Sequence, residues 1–85
     1  MKAYIERLIE EYKELKERTK KCGAYIMGLD EKEAEENGGY LLAEQYYAMK
    51  VYEMILFRRL AREVVKGNLD EETVKSIDGL GEVEV

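Results

Sequence analysis

Residues 40–66, YLLAEQYYAMKVYEMILFRRLAREVVK, are apolar nearly all the way round a helix. A helix on the rim of a small monomer needs one apolar stripe and one wet face. Here Leu42, Met49, Leu56 and Leu60 make one tight stripe. Tyr46, Phe57 and Val64 lie on one side of it, and Leu41, Ala48, Tyr52 and Ile55 on the other. Tyr47, Met54, Ala61 and Val65 turn towards the back. One partner helix cannot cover that much surface, so the stretch predicts several chains sharing it.

Working back towards the start, Ile5, Leu8, Tyr12, Leu15, Thr19, Cys22, Ile26 and Leu29 follow alternating steps of three and four. That is a heptad seam. Glu6 and Glu10 come early and Lys16, Arg18, Lys20 and Lys21 late, which complements the helix dipole. The seam runs through Gly23 and predicts a helix to Met27, with Gly28 as its left-handed stop. Asp30 and Glu33 have the spacing of a capping box, and Asn37-Gly38-Gly39 breaks the turn that follows. Beyond the long apolar helix, Gly67-Asn68 is a stop, Asp70 can cap a short helix through Ile77, and Glu82-Val83-Glu84-Val85 alternates like a strand.

The expected fold is therefore all-α. An antiparallel two-helix hairpin occupies 1–67, with helices at 2–27 and 40–66 and a short connector helix within 30–37. An acidic C-terminal tail follows at 68–85, to dock on a neighbour or stay disordered. The hairpins assemble as a homo-oligomeric helical bundle.

Composition supports assembly. A chain of 85 residues buries little surface alone. Cys22 is the only cysteine, and there is no histidine, so disulfide frameworks, zinc fingers and c-type haem sites are excluded. Oligomerisation is the remaining staple. Met1–Ile9 mixes charged and apolar residues, and no 18-residue uncharged run occurs, so no signal peptide and no membrane partner is expected. A lone thiol suits a reducing, intracellular compartment.

The net charge of −5 is unevenly placed. Residues 1–29 and 40–66 each carry +2; residues 30–39 carry −4 and residues 67–85 carry −5. This balance does not favour duplex binding, which needs a broad basic surface, and no sequence-specific nucleic acid is expected. It leaves room for a small anionic ligand between basic helix faces.

An enzyme is not expected, since no histidine is present to act as a base near neutral pH and Ser76 has no imidazole partner. Cys22 reads as a buried seam residue rather than a reactive thiolate. Glu31, Glu33, Glu35 and Glu36 read as a solvated, capped turn rather than a metal site. No cofactor motif is present. Arg58, Arg59, Arg62 and Lys66 are the sharpest polar cluster. An antiparallel hairpin brings Tyr4 and Arg7 to the same end. Arginine forks grip phosphate and tyrosine faces stack on bases. The candidate ligand-binding residues are thus Tyr4, Arg7, Tyr47, Arg58, Arg62 and Lys66. The plainer reading pairs these cations with Glu6, Glu63, the helix dipole or a neighbour's acidic tail.

IERLIEEYKELKERTKK followed by LLAEQYYAMKVYEMILFRRL resembles a family of small helical-hairpin proteins of crAss-like and Firmicutes phages, mostly of unknown function. The positions that carry the likeness are Glu6-Arg7 and Tyr12-Lys13-Glu14-Leu15, then Leu42, Gln45, Met49, Tyr52 and Arg59. Gly23 and the longer acidic tail depart from the pattern. The architecture is also similar to phage sponge proteins, helical oligomers that sequester the nucleotide signals of anti-phage systems of the CBASS and Thoeris types. That similarity implies binding without turnover, in pockets between subunits, in the cytoplasm of the infected host. It makes a cyclic or ADP-ribose-type nucleotide the expected ligand. A protein-binding or DNA-charge-mimicking module and a purely structural oligomer are the alternatives.

Overall fold

The computed structural model describes residues 1–83. Its first long helix, α1, spans Ala3–Met27. A short α2, Glu31–Glu36, leads to the second long helix, α3, Gly39–Val65. The chain closes with α4, Glu71–Lys75, and a 3-10 turn, Leu80–Glu82. It is all-α, with no strand among the described residues. Glu82, the first of the four residues whose alternation is like a strand's but too short to decide one, ends the 3-10 turn, its N–H donating to the carbonyl of Gly79 (φ 84°) at 3.2 Å. Glu84 and Val85, the rest of that expectation, lie outside the described residues.

Contacts between α1 and α3 run in opposite order along the two helices. Tyr4 meets Glu63, Glu11 meets Tyr52, and Gly23 lies under the ring of Tyr46. The α1 seam is buried at Ile5, Leu8, Tyr12, Leu15 and Thr19, and only half-buried at Cys22, Ile26 and Leu29. Thr19 is tolerated inside because its hydroxyl donates to the Leu15 carbonyl at 2.8 Å.

Local chemistry sets the turn between them. Gly28 is right-handed (φ −83°), so α1 ends without the left-handed stop expected there. Asp30 then restarts the chain through a complete capping box: Glu33 N–H donates to Asp30 Oδ1 at 2.7 Å, and Asp30 N–H to Glu33 Oε1 at 3.4 Å. Gly38 takes φ 67°, a region that side chains with a Cβ enter only at a cost. A Cβ on Gly39 would stand 2.7 Å from the Ala34 carbonyl oxygen, so this pair of glycines lets α2 fold hard against α3.

The tail docks on its own chain. Ile77 and Leu80 join Leu8, Tyr12, Leu15, Leu56 and Leu60 in one buried cluster. Fully burying a side chain such as Leu60 or Leu80 stabilises the fold by roughly 1.5–3 kcal/mol. Asp70 starts α4 by accepting from Thr73 N–H at 2.7 Å, and these hydrogen bonds to Thr73 hold its pKa below the ordinary value.

This core occupies one half of the molecule. Between Thr19 and Leu56 no residue is buried. The molecule measures 50 × 22 × 16 Å, a cross-section that takes two helices about 8–10 Å apart and little more. Much of α3 is left bare: Tyr40 is 88% exposed, Leu41 72% and Tyr47 74%. No described helix is long and apolar enough to cross a membrane.

Candidate functional site

The six residues singled out from sequence fall in several places. Tyr4, Arg62 and Lys66 line one small cleft with Leu8, Arg59 and Glu63, about 210 Å³ in volume. Tyr47 lies in a separate groove of about 450 Å³ with Tyr12, Val51, Met54 and Phe57. Arg7 and Arg58 are exposed and line neither.

Glu63 organises the small cleft. It is 7% exposed, near the end of α3. Asn68 Nδ2 donates to its Oε2 at 2.8 Å, Tyr4 Oη lies 3.3 Å from both oxygens, and Lys66 Nζ lies 3.9 Å from Oε1. The Asn68 hydrogen bond, then Lys66, holds the Glu63 carboxyl below its ordinary pKa against the opposing effect of burial. Burial and the adjacent Glu63 charge push the Tyr4 phenol up. Tyr4 and Lys66 are therefore engaged within the chain.

The arginines are not. Among the described residues two ion pairs form, Lys66–Glu63 and Lys75–Glu71, so Arg58, Arg59 and Arg62 have no carboxylate within 4.0 Å. The pairing of this cluster with Glu6 or Glu63, the plainer expectation, holds for Lys66 alone. Arg58 and Arg62 stand one turn apart, with guanidinium forks suited to a bidentate anion.

A third cleft carries chemistry that the sequence reading passed over. Lys13, Lys16, Lys20, Lys50 and Tyr46 line a groove of about 600 Å³ between α1 and α3. The spacing of Lys13, Lys16 and Lys20 places them on one face of α1, a legible signal. Lys50 Nζ sits 5.8 Å from the Tyr46 ring centroid. Gly23 makes this possible, since a Cβ there would meet Tyr46 Cε2 at 2.8 Å. Glu53 borders the same groove with one sealed oxygen, Oε2, that has no hydrogen-bond partner.

Cationic side chains and tyrosine faces line these open clefts. Among the described residues no cluster of His, Cys, Asp or Glu is arranged to hold a metal. A family model described as Sequestin matches residues 2–62, covering α1, α2 and α3 as far as Arg62. The chain belongs to the Sequestin family. The family name speaks of sequestering a ligand, and membership fits the resemblance to small sequestering proteins of phage type. The match ends before the tail that completes the core. No curated protein and no solved structure matches the chain.

Proposed function

We propose that this Sequestin-family chain is a phage immune-evasion protein. It binds a host cyclic or ADP-ribose-type nucleotide signal and holds it without cleaving it, in the cytoplasm of the infected cell. The working form is a homo-oligomer of antiparallel two-helix hairpins.

The observation that carries this reading is the unpaired arginine face of α3. Among the described residues Arg58, Arg59 and Arg62 have no carboxylate within 4.0 Å, and Tyr47 on the same helix is 74% exposed. Phosphate oxygens satisfy arginine forks, and a base or adenine ring covers a tyrosine face. In this reading Arg58, Arg62, Arg7 and Lys66 grip phosphate, while Tyr47 or Tyr4 stacks. The cleft at Tyr4 holds about 210 Å³, below the roughly 300–1,000 Å³ usual for a small-molecule site. At this cleft, unlike the larger grooves beside Tyr47 and Tyr46, a nucleotide calls for a pocket completed by another chain.

Isothermal titration against cyclic dinucleotides, cyclic trinucleotides, ADP-ribose and cyclic ADP-ribose tests it. The expected result is saturable heat with one of them and recovery of that ligand intact after heating the protein. No heat with any of them, or recovery of a cleaved product, contradicts the proposal. A pull-down from host lysate that instead captures a basic protein through the acids of α2 and α4 favours the protein-binding alternative.

A further inference from the structure

The outward face of α3 carries a second heptad seam. Tyr40, Tyr47, Val51, Met54, Arg58 and Val65 fall on one side of the helix, and Glu44 and Ala61 complete the alternation of four-residue and three-residue steps. The face that packs on α1 is the opposite one, centred on Leu56 and Leu60. The larger apolar members of this outward seam are bare, with Tyr40 88% exposed, Tyr47 74%, Val65 51%, and Val51 and Met54 47% each, while Ala61 is half-buried against the core.

The seam also reads the same way in both directions. Inverting it about the point between Tyr52 and Glu53 exchanges Val51 with Met54, Tyr47 with Arg58, Glu44 with Ala61, and Tyr40 with Val65. Two helices paired antiparallel on such a seam meet as knobs in holes, each small or medium residue opposite a larger one. Charge agrees with the same register. Glu44 lands between Arg58 and Arg62 of the opposite helix, and among the described residues of its own chain neither arginine has a carboxylate within 4.0 Å.

We infer that two copies of this chain pair through α3, antiparallel, with their two-fold axis between Tyr52 and Glu53. Such a contact is self-complementary, as a two-fold interface must be. It covers part of the stretch between Thr19 and Leu56 in which the chain alone buries nothing. It also sets Tyr47 of one copy beside Arg58 of the second, with Arg62 of that copy one turn away, and does so twice by symmetry. The pairing does not depend on which ligand the protein takes, and it is read without any ligand.

Disulfide crosslinking of the full chain, carrying Cys22→Ser to remove the native thiol, tests the register. The double variant Tyr47→Cys with Arg58→Cys forms a covalent dimer under mild oxidation. Tyr47→Cys alone does not, because its two copies stand about 16 Å apart along the axis at 1.5 Å per residue. A dimer from Tyr47→Cys alone means parallel pairing and overturns the inference. No dimer from the double variant overturns it too, whether the protein is monomeric or assembled through another face. As an independent check, Glu44→Arg weakens the dimer about tenfold, since two symmetric contacts reverse at once. Adding Arg62→Glu restores it; failure of that restoration, with helicity unchanged by circular dichroism, counts against this register.

Discussion

Tyr4 Oη lies 3.3 Å from both carboxylate oxygens of Glu63, joining the first turn of α1 to the last turn of α3. The contact clamps the ends of the two long helices, and Asn68 reinforces it from the segment that leads into the tail.

That clamp gives stability two pH limits. Glu63 has a lowered pKa, so its contribution is full above the ordinary value of 4.5 and is lost as pH falls through the folded value. Tyr4 has a raised pKa, so its contribution is full below the ordinary value of 10.0 and is lost as pH rises through the folded value. Thermal melts across pH check this: Glu63→Gln flattens the acid limb relative to the parent, and Tyr4→Phe flattens the alkaline limb.

Leu80 sits in the tail, beyond the stretch that matches the family model, yet it is fully buried against the helix pair. Leu80→Ala is expected to cost about 2–5 kcal/mol, as much as Leu60→Ala in α3. Urea denaturation measures both. Removing residues 68–85 entirely opens the core, so neutralising Glu71, Glu72 and Asp78 is the cleaner way to ask what the tail's charge does.

Two glycines answer differently to the same substitution. At Gly39 an added methyl meets the backbone oxygen of Ala34 at 2.7 Å. Gly39→Ala then destabilises by about 1–3 kcal/mol, because α2 has to move. At Gly23 the obstacle is the edge of the Tyr46 ring, at 2.8 Å, and a side chain can swing aside. Gly23→Ala stays within about 1 kcal/mol of the parent, the gain in helix propensity offsetting the shift. Its signature is a changed tyrosine fluorescence.

Arg62→Ala removes one unpaired fork from the proposed nucleotide grip without opening the core. Helix content by circular dichroism stays unchanged, while affinity for the nucleotide found by titration, measured where the variant is still dimeric, falls about tenfold or more. Lys75→Ala, whose amine already pairs with Glu71 at 3.2 Å, leaves affinity unchanged.

What was legible in the sequence was what local chemistry decides. The α1 seam from Ile5 to Thr19 shows in its three-and-four spacing because every one of those residues faces the same partner. The Asp30–Glu33 box and the Asp70 cap show because each is a contact between residues three apart. The docking of the tail did not show: Ile77 and Leu80 stand alone among turn residues, and two buried positions make no periodic pattern. The scatter of the candidate site has a similar cause. A helical wheel assigns Tyr46 and Tyr47 to neighbouring faces, but only packing reveals that Tyr46 slides over Gly23 and Tyr47 stays bare. The pairing of Lys66 with Glu63 was legible from their spacing, but the Tyr4 contact to Glu63 was not, nor that among the described residues the arginines beside it go unpaired.

Sedimentation equilibrium of the full chain at micromolar concentration bears most directly on the bare face of α3. The expected species has at least twice the 9.9 kDa chain mass and is reduced to single chains by Val51→Glu with Met54→Glu. A well-folded parent that sediments as a single 9.9 kDa chain contradicts it.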